Sequence, residues 1–163
     1  MRRTIAFVLA GMTIASAGCV KSPSITVPDC AVGSFTRASQ SGDTIITTEG
    51  LRYIEGLPGD LSSSLTGWCR PLSVHYDAYL ADGTKFDSSH DLGLPLVFRP
   101  GFGDLIDGFE QGVINMHVGA TRRLIIPPSL GFGSEARRDA NGNIIVPANS
   151  TLIYDVEVVE VGQ

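Results

Sequence analysis

The sequence lacks the features that mark several large classes of protein. Its net charge is −5, so it has no basic surface with which to hold nucleic acid, and we expect no nucleic-acid partner. Its three histidines, His75, His90 and His117, have no i, i+4 spacing and no cysteine cluster nearby, so we expect no metal site and no cofactor. No Gly-x-Ser-x-Gly elbow is present to activate a serine nucleophile.

Long apolar runs are also missing, and the one short run lies at the amino terminus. Residues 5–14 are almost entirely apolar, which is about half of the roughly 20 residues that a membrane-spanning helix needs. Arg2 and Arg3 precede this run, and small residues follow it up to Gly18. This layout is typical of an export signal, and we predict a signal peptide over residues 1–19.

Two processing sites are consistent with this segment. Ala15-Ser16-Ala17 fits cleavage after Ala17, whereas residues 16–19 resemble a bacterial lipobox in which Cys19 becomes the lipidated amino terminus. The chain has three cysteines, an odd number for an oxidising compartment. Lipidation of Cys19 would leave Cys30 and Cys69 free to pair. The even number of remaining cysteines therefore favours an exported lipoprotein, which would be periplasmic or anchored to a membrane.

Patterning divides the rest of the chain into two parts. Residues 20–43 are rich in Ser, Thr, Pro and Gly and have no strand or helix period, so we expect a flexible tether there. Residues 44–163 carry ordered patterns and are predicted to form a single domain.

The domain combines alternating patterns with one helical pattern. Alternation and β-branched residues predict strands over 44–53, 72–80, 96–98, 121–126 and 152–158. Asp82-Gly83 predicts a tight hairpin turn, and Asn141-Gly142 a second turn. A helical face is formed by Ile106, Phe109, Val113 and Met116. We predict an α+β fold in which an antiparallel β-sheet curls around this one short α-helix.

Several short blocks of the domain resemble a known family. They include residues 82–89 (Asp-Gly-Thr-Lys-Phe-Asp-Ser-Ser), residues 108–113 (Gly-Phe-Glu-Gln-Gly-Val) and residues 147–152 (Pro-Ala-Asn-Ser-Thr-Leu). In order and spacing they resemble the FKBP family of peptidyl-prolyl cis/trans isomerases, over roughly residues 50–161. The resemblance implies an isomerase that assists the folding of exported proteins by stabilising the twisted X–Pro amide non-covalently in an apolar pocket.

The resemblance also implies the residues of that pocket. The catalytic set carried over is Tyr76, Phe86, Asp87, Ile106, Phe109, Phe132 and Tyr154, and the substrate-binding set is Leu96, Leu105 and Val146. Phe109 is expected at the floor, with Phe86 and Tyr154 as walls. The backbone N–H of Ile106 is expected to bind a substrate carbonyl. Asp87 is expected to be the one carboxylate inside, held by Tyr76.

Two departures from the family pattern affect function. Phe109 stands where the family most often has Trp, and Phe132 stands where it commonly has Tyr. The lost hydroxyl at Phe132 predicts weaker macrolide binding by about 1 kcal/mol. An alternative function therefore remains, a chaperone module that binds proline segments with little turnover. The loop over 134–144 is longer than in the minimal family domain and is expected to overhang the pocket and reshape substrate choice.

The expected partners follow from this assignment. They are proline-containing unfolded or exported polypeptides, macrolide ligands, and a membrane if Cys19 is lipidated. The family's dimerising helical extension has no counterpart here, so we expect a monomer.

Overall fold

A computed structural model describes the backbone of residues 37–41 and the whole of residues 43–162. Ten strands lie in this part of the chain: β1 Arg37–Ser41, β2 Thr44–Thr47, β3 Arg52–Pro58, β4 Leu72–Leu80, β5 Lys85–Ser88, β6 Leu96–Phe98, β7 Ala120–Ile126, β8 Arg137–Arg138, β9 Ile144–Val146 and β10 Leu152–Val161. Eight of them form one antiparallel sheet in the order β1-β2-β3-β7-β10-β4-β5, with β6 also paired to β4. The predicted α+β class with an antiparallel sheet is confirmed.

The centre of the sheet is the antiparallel pair of β4 and β10. Buried apolar residues alternate with less buried, mainly polar residues along both strands, because successive side chains point to opposite faces of a sheet. The register places Tyr76 opposite Val156 and Ala78 opposite Tyr154. The inward residues of both strands therefore line up on one apolar face, as the alternation predicted.

The turns between strands follow the predicted glycines. Gly83, with φ of 88°, lies in the tight turn that joins β4 to β5, and Gly142, also with φ of 88°, lies in the turn between β8 and β9. The strand predicted over 44–53 is in fact two strands, β2 and β3. Gly50, with φ of 91°, allows the left-handed turn that separates them.

Helix α2, Asp107–Gly112, packs its inner side on β7. Two glycines make this close contact possible. A Cβ added at Gly108 would lie 2.5 Å from Ile126 Cγ2, and one added at Gly112 would lie 2.5 Å from Leu124 Cδ1. The backbone of the helix therefore approaches the sheet more closely than any larger residue would allow.

The helix is shorter than its apolar pattern predicted. It ends at Gly112, and Asn115 adopts a left-handed backbone with φ of 59°. Val113 and Met116 are still buried, because the turn after the helix carries them into the core. The expectation of one helix was also too simple for the described chain, since α1 spans Ser89–Leu92 and a 3-10 helix spans Pro128–Leu130.

The predicted tether does not hold over its last residues. Residues 37–41 form β1, which pairs antiparallel with β2. Strand pairing joins backbone groups, so a Ser-rich and Thr-rich composition without alternation does not prevent it. The rest of the tether and the predicted signal over 1–19, with Cys19 and Cys30, lie outside the described residues. No helix within residues 37–41 and 43–162 is long and apolar enough to cross a membrane.

Candidate active site

A cavity of about 340 Å³ opens between the inner face of the sheet and helix α2. Its lining comes from β4, β10, the β5 and β6 region, the loop before α2, and the segment that follows the 3-10 helix. The lining residues are Tyr76, Asp87, Leu96, Asp104, Leu105, Ile106, Phe109, Phe132, Arg137 and Tyr154. This volume lies within the range of small-ligand sites in proteins.

Phe109 on α2 lies at the centre of an aromatic cluster. Its ring centroid is 5.1 Å from that of Tyr154 and 5.8 Å from that of Tyr76, in edge-to-face contacts. Phe98 packs from β6 at 5.7 Å. Phe109 is only 2% exposed, so neighbouring rings fix its orientation, and it presents an apolar floor to the cavity.

Asp87 and Tyr76 form a hydrogen-bonded pair in the wall of the cavity. The Tyr76 hydroxyl donates to Asp87 Oδ2 at 2.8 Å, and the Ser88 N–H donates to Asp87 Oδ1 at 2.9 Å. Burial raises the pKa of Tyr76, and the hydrogen bond to Asp87 and its charge raise it further. Both carboxylate oxygens of Asp87 are therefore engaged by neutral donors at the edge of the cavity.

The loop before α2 is fixed by a buried carboxylate. Glu110 is 4% exposed, and it accepts hydrogen bonds from the Gly101 N–H at 2.7 Å and the Leu105 N–H at 3.2 Å. Among the described residues, the N–H of Ile106 has no hydrogen-bond partner, and Ile106 lines the cavity. The loop thus holds a backbone donor at the wall. The sequence motif contained Glu110, but sequence reasoning assigned it no role.

The structure brings together eight of the ten residues expected in the pocket. The two exceptions are Phe86 and Val146, which do not line the cavity. Val146 is 1% exposed and belongs to the core, and Phe86 packs edge-on against Tyr154 at 6.0 Å. Both support the lining from behind instead of forming it.

The expected description of Asp87 needs two corrections. Asp87 is an exposed residue, so it lies at the margin of the pocket and not within a dry interior. It is also not the only carboxylate there, because Asp104 lines the same cavity. Sequence reasoning assigned neither Asp104 nor Arg137 to the lining.

A larger hollow of about 460 Å³ lies on the outer side of the sheet. Two ion pairs lie in its lining. Arg123 binds Asp155 through two hydrogen bonds of 2.6 Å, and Arg122 binds Glu55 at 2.8 Å. The lining of this hollow contains no Phe, Tyr or Trp side chain, so we assign the site to the smaller cavity with its aromatic floor.

Comparison with known proteins identifies the family of this fold. The family model described as FKBP-type peptidyl-prolyl cis-trans isomerase matches residues 70–159. The chain belongs to this family. The FKBP match contains β4 to most of β10, and thus all ten residues that line the cavity.

Individual relatives agree with the family model. The chain is 49% identical over 88 residues to FK506-binding protein 2 of Dictyostelium discoideum, which covers 54% of this chain and 62% of that protein. It is 38% identical over 112 residues to peptidyl-prolyl cis-trans isomerase Fkbp12 of Drosophila melanogaster, covering 69% of this chain and 98% of that protein. The crystal structure of AtFKBP13 superposes with a TM-score of 0.65 at 30% identity, covering 72% of this chain and 97% of the other. The chain thus spans less than two thirds of the length of the Dictyostelium relative.

The histidines of this FKBP domain contact one another or nearby polar groups. His75 and His90 stack with ring centroids 4.6 Å apart, and His75 Nδ1 lies 3.0 Å from Ser89 Oγ. His117 Nδ1 lies 3.1 Å from the carbonyl oxygen of Ser63. Within the part of the chain that the structure describes, no group of three or more His, Cys, Asp or Glu side chains is placed to hold a metal ion.

Proposed function

We propose that this chain catalyses cis/trans isomerisation of X–Pro bonds in the cavity above Phe109. The observation that carries the proposal is the aromatic floor within a family domain. Phe109, Tyr76 and Tyr154 form a cluster with centroids 5.1–5.8 Å apart, and it faces an opening of about 340 Å³. A proline ring buries apolar surface on such a floor at roughly 25 cal/mol per Å².

The chemistry requires no nucleophile. Rotation about the peptide bond has a barrier of about 18–20 kcal/mol because amide resonance must be broken. The twisted amide has less charge separation than the planar one, so apolar walls such as Leu96 and Phe109 disfavour the planar form more. That difference lowers the barrier by differential binding of the transition state. In this proposal the Ile106 N–H donates to a substrate carbonyl and holds the residue before proline while the bond turns.

Asp87 and Tyr76 contribute to the shape of the wall. The carboxylate holds the Tyr76 hydroxyl at 2.8 Å, which keeps the tyrosine ring against Phe109. Hydrogen bonds to charged groups contribute about 1.5–3 kcal/mol. Asparagine keeps an acceptor oxygen but lacks the charge, so Asp87→Asn loses about 1 kcal/mol of this bond and lowers kcat/KM by roughly fivefold.

The test is the rate at which a short Ala–Pro peptide isomerises in the presence of the purified protein. We expect acceleration over the uncatalysed process, which takes tens to hundreds of seconds, and inhibition by a macrolide. Asp91→Asn is the matched control, because Asp91 is 64% exposed and pairs with Lys85 away from the cavity. Peptide binding without turnover would favour the proline-binding chaperone module. If the peptide neither binds nor isomerises faster, both functions are refuted.

We further propose that the protein acts on proline-containing segments of exported polypeptides, as a monomer anchored through a lipid on Cys19. Cys69 is disulfide-bonded, and disulfides persist in oxidising compartments, which supports export. Its partner lies outside the described residues, and we propose Cys30. The mass of the mature protein recovered from membranes tests the anchor: a diacylglycerol-modified amino terminus at Cys19 is expected, and an unmodified amino terminus at Gly18 contradicts it.

A further inference from the structure

An arginine of the long loop lies at the cavity. The loop folds into the hairpin β8–β9, and Arg137 is the first residue of β8. Its side chain lines the cavity, and its Cζ lies 5.0 Å from the centroid of the Phe132 ring. The hairpin therefore brings a cation to a site whose other walls are mainly aromatic and aliphatic.

Arg137 has no acidic partner among the described residues, unlike Arg122 and Arg123 of β7. Arg122 and Arg123 are paired with Glu55 and Asp155. No carboxylate of the described residues lies within 4.0 Å of the Arg137 guanidinium, although two carboxylates line the same cavity. Because Arg137 is exposed and no ion pair engages it, its guanidinium is accessible to a ligand at the cavity.

The two carboxylates of the cavity do not form ion pairs with Arg137. Both oxygens of Asp87 accept hydrogen bonds from Tyr76 and Ser88. Asp104 is an exposed residue in the loop between β6 and α2, whereas Arg137 comes from the hairpin. The cation and Asp104 therefore belong to different walls, and a ligand that extends beyond the floor meets a separate charge on each.

We propose that Arg137 selects X–Pro segments that carry an acidic side chain on a residue adjacent to the proline. This inference rests on the proposed function, in which the proline ring lies on Phe109. The residues that flank the ring must then pass the rim, where the Arg137 guanidinium lies. A guanidinium presents paired donors that match the two oxygens of a carboxylate. Recognition of a charge here would give the loop a role in substrate choice.

The competing role for Arg137 is purely structural, as a cover on the Phe132 ring. A cover would affect all peptides to the same extent, whereas a selective cation affects charged and neutral peptides differently. The discriminating quantity is therefore a ratio between peptides of matched size. Because Arg137 is exposed, the expected preference is that of a solvent-accessible ion pair, roughly two- to fivefold.

The experiment compares short peptides that contain Glu–Pro, Gln–Pro, Lys–Pro, Pro–Glu or Pro–Gln, with both Kd and kcat/KM measured for the intact protein. For the side of proline that faces Arg137, the wild type should prefer Glu over Gln by roughly two- to fivefold. High ionic strength should reduce that preference. Arg137→Gln should abolish the preference for Glu over Gln. Arg137→Glu should replace it with a preference for Lys over Gln. The matched control is Arg138→Gln, since Arg138 is exposed and donates to the Gly142 carbonyl within the hairpin.

Each outcome decides between the two roles. Equal Glu and Gln values on both sides of proline in the wild type would overturn the proposal, as would a preference that Arg137→Gln leaves unchanged. If peptides bind but do not turn over, the proposed isomerase fails while the Kd ratios still test Arg137. If no proline peptide binds at all, both proposals are wrong.

Discussion

Replacement of Arg122 by alanine should destabilise this fold far more than replacement of its neighbour Arg123. Arg122 lies on β7, and its side chain is only 3% exposed. Its Nη1 donates to the carbonyl oxygens of Gly112 at 2.6 Å and Ile114 at 3.0 Å, just where helix α2 ends. Its Nε and Nη2 donate to Glu55 at 3.0 and 2.8 Å.

The magnitude follows from what each partner loses. The carbonyls of Gly112 and Ile114 would lose a charged donor, and an unsatisfied buried acceptor costs about 1–3 kcal/mol. The guanidinium also lies 4.4 Å above the Tyr53 ring, a contact that contributes about 1–2 kcal/mol when it is desolvated. Glu55 is 51% exposed, so water replaces its lost partner at little cost. We expect Arg122→Ala to lower the free energy of unfolding by roughly 3–5 kcal/mol.

The control is chemically identical and one residue away. Arg123 is 54% exposed and pairs with Asp155, and an exposed pair contributes about 0.2–1 kcal/mol. Urea unfolding followed by the fluorescence of the single tryptophan, Trp68, measures both variants. Equal losses, or a loss below about 1 kcal/mol for Arg122→Ala at an unchanged m-value, would refute the reasoning.

Three further predictions concern the pocket and the disulfide. Burial raises the pKa of Tyr76 and of Tyr154 above 10.0, so the stability that their neutral forms contribute is complete below about pH 10 and is lost as pH rises through the raised values. Alkaline absorbance titration should show both tyrosines ionising only as the protein unfolds. Ionisation of all four tyrosines near pH 10 in folded protein would contradict this. Phe132→Tyr should strengthen macrolide binding by about 1 kcal/mol, roughly fivefold in Kd measured by titration, and an unchanged Kd would show that no ligand acceptor faces this ring. Reduction should lower the free energy of unfolding by about 3–4 kcal/mol through the loop of roughly 40 residues that a disulfide between Cys30 and Cys69 closes; two free thiols on alkylation of the unreduced protein would exclude that pair.

Local pattern predicted the strands better than it predicted the helix. Strict alternation over β4 and β10 reflects a sheet with one buried face, and that relation depends only on neighbouring residues. The apolar spacing around Phe109 extended past the real end of α2 at Gly112. Val113 and Met116 are buried on either side of a left-handed turn at Asn115, so the pattern of buried residues extends beyond the end of the helix. A pattern of buried residues therefore marks contact with the core, and not continued hydrogen bonding of a helix.

The composition of the candidate site was predicted mainly from the family resemblance. That route found the apolar lining, because those residues lie within motifs of fixed spacing. It missed Asp104 and the place of Arg137 at the rim, since a charged residue in a loop has no period and its position depends on the path of the whole hairpin. It misplaced Val146 in the lining, because inward-facing residues of one short strand divide between cavity and core according to small differences in depth.

The two buried charges of the described residues, Glu110 and Arg122, lie outside the pocket lining and hold its floor from two directions. Glu110 binds the loop that precedes α2 through Gly101 and Leu105, and Arg122 binds the carbonyls at the other end of the helix. Phe109 lies between them, and the rings that contact it are those of Tyr76, Phe98 and Tyr154. A site that works by shape and low polarity needs this arrangement, because a charge among the floor residues would stabilise the planar, polar amide and raise the barrier. Substitution of Glu110 or Arg122 should therefore reduce turnover by displacing Phe109, although neither side chain lines the cavity.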